Sequence, residues 1–424
     1  MTVTIHPGQA AGTLPAIPSK SAAHRLLICA ALADQPTTLA CPQSSQDIDA
    51  TAACLTALGA DIQREAAGFH VTPVDRAAAP KECLLPCGES GSTLRFLLPV
   101  AGALGVRASF LLQGRLGQRP MEPLVGQLQA QGCTIEQTPE RLTISGQLQP
   151  GQFTLPGDVS SQFISGLLLA LPLLGAESRL TVTGTVESAG YIDMTLRALA
   201  AFGLTPARDN WHFTLPPQGF HSPGAAPVEG DWSNAAPWLC MGVLAGAGVA
   251  LTGLDPDSLQ GDRGVCQVLD AMGGGIRWAG GTVQASPAPL HPVEIDARNI
   301  PDLVPVLAAT AALIPGETRI LHAARLRLKE SDRLTTTAQT LNALGGQVRE
   351  TEDGLVIQGK PSLPGGQVDA QGDHRIAMAA AVASAGCTGS VTVTGAQAVE
   401  KSYPGFWRDL EALGRQVQLG DSPA

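Results

Sequence analysis

Apolar and polar positions along the 424-residue chain repeat six times. Each copy closes on the phrase Leu-x-x-x-Gly: Leu55 with Gly59, Leu128 with Gly132, Leu199 with Gly203, Leu269 with Gly273, Leu341 with Gly345 and Leu410 with Gly414. Successive glycines stand 73, 71, 70, 72 and 69 residues apart. That period is too long for the common solenoids, so each copy predicts a compact supersecondary unit. The second copy is the clearest. A helical pattern ends just before Gly132, which supplies the left-handed residue that closes a helix. Thr134-Ile135-Glu136 and Leu142-Thr143-Ile144 then alternate around a polar turn, which predicts a hairpin. The first, third, fourth and fifth copies repeat the order, with turns at 65–68, 208–210, 279–281 and 352–354. The sixth stops after Val417-Gln418-Leu419. The run Thr2-Val3-Thr4-Ile5 is the unassigned strand that would complete it, which puts both chain ends in the second half of the molecule.

Each copy holds a second helix of another kind. The runs 163–174, 235–247, 303–314 and 376–385 are apolar almost all the way round, so they are expected to be buried on every side. Helices ending in Leu-x-x-x-Gly are amphipathic instead: Ile48, Ala52, Leu55 and Leu58 alternate with Asp47, Asp49 and Thr56. Six α/β units in a chain too long for one core predict two lobes of three. The first lobe is expected over 16–227, and the second over 228–424 completed by 1–15. The Pro/Gly-rich stretch 216–227 and the segment 7–15 would be the two crossings.

Composition narrows the function classes. The chain is 44% hydrophobic and 15% charged, which permits large cores. Its longest apolar run, 166–176, is too short to cross a membrane, and no cationic start leads into an apolar export segment. Nine scattered cysteines, with Cys83 and Cys87 forming a C-x-x-x-C pair that has no second half, read as reduced thiols of a cytoplasmic protein. A net charge of -10 argues against a nucleic-acid partner. No long apolar seam marks the amphipathic helices, so a monomer is expected. The eight histidines include no H-E-x-x-H, and neither a phosphate-binding G-x-x-x-x-G-K-[ST] loop nor a G-x-S-x-G elbow occurs. The glycine run at 273–275 ends a surface helix and is no G-x-G-x-x-G loop.

The candidate chemistry keeps the period of the repeat. The buried helices open on short polar residues: Ser19-Lys20-Ser21, Ser90-Gly91-Ser92, Ser160-Ser161-Gln162, Ser233-Asn234, Pro301-Asp302 and Asp373-His374-Arg375. Any one is an ordinary N-cap. Six in register give each lobe a set of helix N-termini suited to anions, and two such faces opposed would take a strongly negative ligand. Lysine is rare, and three of the five, Lys20, Lys329 and Lys401, stand in dense polar motifs. Arg25 and Arg95 lie one turn into apolar helices, where a charge needs a partner or an anionic ligand. Arg119 lies in a loop, where a surface ion pair is the ordinary expectation, and Arg375 opens a helix. Together they fit a small ligand bearing phosphate and carboxylate, held by bidentate arginines.

These residues carry a resemblance. Pro18-Ser19-Lys20-Ser21 with Arg25, Glu89-Ser90-Gly91-Ser92-Thr93-Leu94-Arg95, Arg119-Pro120, Pro156-Gly157-Asp158-Val159-Ser160-Ser161-Gln162, Tyr191-Ile192-Asp193, Lys329-Glu330-Ser331-Asp332-Arg333 and Asp373-His374-Arg375 resemble the 5-enolpyruvylshikimate-3-phosphate synthases, in order over essentially the whole chain. The resemblance implies a two-lobed inside-out α/β barrel of six βαβαββ units with buried helices. It also implies transfer of the enolpyruvyl group of phosphoenolpyruvate to the 5-hydroxyl of shikimate 3-phosphate, releasing phosphate, on the way to chorismate and the aromatic amino acids. No metal or organic cofactor is implied. Shikimate 3-phosphate would be held by Lys20, Ser21, Arg25, Ser160, Ser161, Gln162, Ser188, Tyr191, Asp302 and Lys329. Phosphoenolpyruvate would be held by Lys20, Gly91, Arg119, Gln162, Arg333, His374, Arg375 and Lys401. Glu330 is the candidate acid, Asp302 the candidate base, and Lys20 would share in the proton transfer. Closure of the lobes on the first substrate would exclude water. Glu89 stands where many members have Asn, and Arg325 where some have an Asn that contacts substrate. Two other readings remain: the sister enzyme that enolpyruvylates UDP-N-acetylglucosamine, and a non-catalytic polyanion-binding protein.

Overall fold

The computed structural model describes residues 1–244 and 246–420. Among these the strands form six four-stranded sheets with one shared topology: a parallel pair, then two antiparallel neighbours. The sheet of strands Glu82–Gly88, Arg107–Leu112, Cys133–Gln137 and Arg141–Gly146 shows how it arises. Glu82–Gly88 and Arg107–Leu112 are parallel, so the chain between them must cross over, and helix Gly91–Leu104 makes the crossing. Helix Leu124–Ala130 then leads into the hairpin of Cys133–Gln137 and Arg141–Gly146, whose second strand joins Arg107–Leu112. The unit is thus β-α-β-α-β-β, with one helix per parallel pair and one per hairpin.

In three sheets a strand comes from elsewhere in the chain. Ala225–Pro227 lies parallel to Thr37–Ala40, and Ala11–Pro15 parallel to Gly248–Thr252. Thr2–Ile5 sits between Val391–Thr394 and Val417–Gly420, antiparallel to both, with Val3 opposite Val393 and Leu419. The chain divides into a continuous unit, Pro18–Val228, and a discontinuous one, Met1–Ile17 with Glu229–Ala424. The crossings therefore fall at 17–18 and 228–229, beyond the Pro/Gly-rich stretches, because those stretches end in edge strands held by a sheet. Each unit has its own core. Leu27, Phe96, Phe110, Ile164 and Leu168 belong to one, and Val3, Trp238, Leu307, Met378 and Phe406 to the other.

The two kinds of helix are as the apolar pattern predicts. Every residue of Val304–Ala311 and His374–Ala383 is buried, whereas Gln46–Ala57 buries only Ile48, Thr51, Cys54 and Leu55. The apolar run 235–247 forms helix Trp232–Leu244; position 245 within it lies outside the described residues. All six repeat glycines have positive φ, between +77° and +107°, the conformation a side chain resists. Two helix starts differ from expectation. Asp231, not Ser233 or Asn234, caps Trp232–Leu244 by accepting from the Asn234 N–H at 2.8 Å, so the helix already begins at Trp232. Asp302 sits in a 3-10 turn, Pro301–Leu303, and makes no cap bond because cations take its carboxylate.

Candidate functional site

In the continuous unit the buried helices start with capped hydroxyls. Ser19 Oγ accepts from Ala22 N–H, Ser90 Oγ from Thr93 N–H and Ser160 Oγ from Gln162 N–H, each at 3.3 Å. Lys20 opens helix Lys20–Ala31 and its Nζ donates to Asp47 Oδ2 at 2.8 Å. One turn further in, Arg25 is 2% exposed and donates to Thr195 Oγ1, Ser165 Oγ and the Ser21 and Tyr191 carbonyls. These acceptors are all neutral. Burial draws the Arg25 pKa down to about 10, against Tyr191 and Cys29, so the group stays cationic at neutral pH with no carboxylate against it among the described residues.

Gln162 Oε1 accepts from Arg95 Nη1 at 2.7 Å while its Nε2 donates to Ser92 Oγ at 2.8 Å, tying two helix starts together. Arg119 is 8% exposed, against the expectation for a loop arginine, because its guanidinium lies on Gly91. A Cβ at Gly91 would stand 2.8 Å from Arg119 Nη1. Ser161 is buried at the start of its helix, and Tyr191 is half-buried on helix Ala189–Ala201. Ser188, before that helix, is a non-glycine residue at φ 56°, a conformation tolerated where the surroundings impose it.

In the discontinuous unit Arg333, 2% exposed, is the hub. Its Nη1 donates to Asp302 Oδ1 at 2.7 Å, Nη2 to Glu330 Oε2 at 2.7 Å and Nε to Asp373 Oδ2 at 2.8 Å. Burial weakens the Arg333 charge, but Asp373, Glu330 and Asp302 outweigh it and hold the guanidinium above its ordinary pKa. Lys329 Nζ reaches Asp302 Oδ1 at 3.2 Å. Burial opposes the Asp302 charge too, yet Lys329, Arg333 and Arg375 overcome it and hold this carboxyl well below the usual range. Arg375 donates from Nη1 to the Ser233 carbonyl at 2.8 Å, while its buried Nε has no hydrogen-bond partner among the described residues. His374 is buried beside it, and Lys401 Nζ donates to the Gly372 carbonyl at 2.6 Å. Arg325 turns to the Arg298 carbonyl at 2.7 Å.

Three residues make contacts to the candidate site that the sequence does not signal. Asp47 counts in the sequence only as the polar face of a helix, and its spacing from Lys20 holds no signal. Asp373 stands inside a quoted motif, but its fork onto Arg333 is a tertiary contact between residues forty apart. Arg327 braces the Lys329-Glu330 turn by donating to Asp332 and Glu350, both at 3.1 Å, and to the Thr351 carbonyl. A cavity of about 510 Å³ lies on the face of the sheet carrying Arg179, Thr181 and His212, and none of the candidate site residues lines it. Among the described residues no cluster of His, Cys, Asp or Glu is arranged to hold a metal ion, and no helix is long and apolar enough to cross a membrane.

The six-sheet α/β fold has counterparts among solved structures. EPSP synthase from Acinetobacter baumannii superposes with a TM-score of 0.80 at 26% identity, covering 99% of this chain and all of that one. The enolpyruvyl transferase NikO from Streptomyces tendae shares the fold at a TM-score of 0.77 and 23% identity, with 100% and 99% covered. Residues 6–410 match the family model described as EPSP synthase (3-phosphoshikimate 1-carboxyvinyltransferase). A 3-phosphoshikimate 1-carboxyvinyltransferase from Clostridium kluyveri is 40% identical over 418 residues, 98% of each chain, and one from Clostridium acetobutylicum is 40% identical over 421. The chain belongs to the EPSP synthase family.

Proposed function

We propose that this chain transfers the enolpyruvyl group of phosphoenolpyruvate to the 5-hydroxyl of shikimate 3-phosphate and releases phosphate. The observation that carries the reading, within this family, is that Arg25 is buried yet held only by neutral oxygens, so its charge is left for an anionic ligand. Of the groups assigned to shikimate 3-phosphate, Lys20, Ser21, Arg25, Ser160, Ser161, Gln162, Ser188 and Tyr191 lie in the continuous unit, and Asp302 and Lys329 in the other. For phosphoenolpyruvate, Lys20, Gly91, Arg119 and Gln162 lie in the first, and Arg333, His374, Arg375 and Lys401 in the second. Within each unit the three sheets are read as standing around the buried helices, an inside-out barrel, supported by helices such as His374–Ala383 that are buried throughout.

The chemistry is an addition followed by an elimination. Glu330 delivers a proton to the vinyl carbon, and Asp302 takes the proton of the attacking 5-hydroxyl while Lys20 orients it. The cations that keep Asp302 ionised also make it a weak base. Bound phosphate and carboxylate would neutralise Lys329, Arg333 and Arg375 and raise its pKa towards working pH. Elimination reverses the proton transfers, and Arg119, Arg333 and Lys401 stabilise the departing phosphate. The sister acceptor UDP-N-acetylglucosamine is not favoured, because no cysteine lies between Cys87 and Cys133 to serve as the reactive thiol before Arg119. The protein is read as a cytoplasmic monomer.

The test is phosphate release from the purified protein with each substrate alone and with both, without added metal. Release is expected only with both, and Lys20→Ala and Asp302→Ala are each expected to lower it about 100- to 10,000-fold. Absence of release with shikimate 3-phosphate, or release with UDP-N-acetylglucosamine in its place, would overturn the reading.

A further inference from the structure

A chain of buried hydroxyls runs from the Lys20 helix to the turn that carries Gly91. His24 is fully buried one turn after Lys20, and its Nδ1 lies 2.6 Å from Thr51 Oγ1. Thr51 Oγ1 lies 2.6 Å from Thr93 Oγ1, and Thr93 Oγ1 donates to Ser90 Oγ at 2.7 Å. None of the four residues is more than 1% exposed. The direction of the chain follows from its last bond. Thr93 spends its proton on Ser90, so Thr51 must donate to Thr93, and His24 must donate to Thr51. His24 is therefore the Nδ1–H tautomer, and its buried Nε2 has no hydrogen-bond partner among the described residues. The ring meets Phe96 edge-on at 6.4 Å.

The chain has a second rung beside it. Lys20 and His24 are four residues apart on one helix, Asp47 and Thr51 four apart on another, and the ion pair Lys20–Asp47 stands one turn above the bond His24–Thr51. Two rungs set the rotation of one helix against the other, and the threonine pair passes that constraint to the third helix. There Ser90 caps the first turn, next to the glycine on which the Arg119 guanidinium rests.

We propose that His24, Thr51 and Thr93 are positioning residues for the phosphoenolpyruvate half of the site, acting through Ser90 to set the Gly91 turn against Arg119. The proposal rests on the proposed function. Burial first, then the charges of Lys20 and Arg25, keep His24 neutral, so the chain keeps one direction at working pH.

Thr51→Val keeps the shape of the side chain and deletes the central hydroxyl. It is expected to raise KM for phosphoenolpyruvate about five- to tenfold, with kcat and KM for shikimate 3-phosphate within about twofold of the parent. Thr51→Ser restores the hydroxyl and is expected to restore the parent KM. Should Thr51→Val fail to fold, Thr93→Val cuts the chain at the next link and decides in its place. An unchanged KM for phosphoenolpyruvate in a folded variant, or a rise in Thr51→Ser equal to that in Thr51→Val, would overturn the proposal. Loss of phosphate release in the parent protein would instead count against the proposed function.

Discussion

Arg25 and Arg333 are equally buried arginines held in opposite ways. Arg333 has three carboxylates, and Arg25 has two hydroxyls and two carbonyls. A carboxylate cluster holds a cation in place, whereas neutral acceptors orient it and leave its field for a ligand. That difference could not be read from the sequence. The rarity of lysine and the apolar setting of Arg25 made the cations themselves legible, but their partners come from residues up to 170 positions away. Gly91 follows the same logic of proximity. Gly91→Ala would drive a methyl group into Arg119, so KM for phosphoenolpyruvate is expected to rise about tenfold while the melting temperature changes little, as the glycine is in ordinary helical backbone. His24 makes a pH prediction. Its native pKa lies well below the unfolded value, so the unfolded chain binds the extra proton as pH falls. The stability contribution is complete above about pH 6.5 and is lost below it, with a slope of up to about 1.4 kcal/mol per pH unit. Urea unfolding from pH 7.5 to 5 should show this loss, and His24→Asn should flatten it.

At the scale of elements, the helices were legible because one kind is apolar all round and the other amphipathic, and the repeat glycines marked where half of them end. Their starts were less so. A short polar residue before an apolar run signals a cap, but several such residues in succession do not say which one caps. Asp231 takes that role, and Asp231→Ala is expected to cost about 1 kcal/mol in the unfolding of the discontinuous unit. Asp302 looked like a cap and is instead held by Lys329 and Arg333, since a charged pair outcompetes a backbone N–H. The opposite end of a buried helix has its own device. Arg415, 2% exposed, donates from Nη2 to the Ser384 carbonyl and hydroxyl and to the His6 carbonyl, just past helix His374–Ala383. A cation there offsets the negative end of the helix. Arg415→Ala should lower stability by about 2 kcal/mol, read by tryptophan fluorescence, which reports chiefly the unit holding Trp232, Trp238, Trp278 and Trp407.

At the scale of the whole molecule, the six-fold spacing made the sheets countable before any strand was paired. The edge strands were harder. Ala11–Pro15 and Ala225–Pro227 lie in Pro/Gly-rich sequence that reads as linker, and only their sheet partners make them strands. Thr2–Ile5 was easier, because its apolar alternation stood without a partner. Val3 and Ile5 are fully buried, so Ile5→Ala should destabilise the discontinuous unit by about 2–4 kcal/mol, measured by urea unfolding.

The place of that strand also orders events during synthesis. The continuous unit has every strand it needs once residue 228 has left the ribosome. In the other unit Thr2–Ile5 is made well before its partners, Val391–Thr394 and Val417–Gly420. Thr2–Ile5 therefore waits as an unpaired apolar segment while residues 6–390 are made. A nascent chain stalled past the middle should resist protease over its continuous unit while its first residues are still cut.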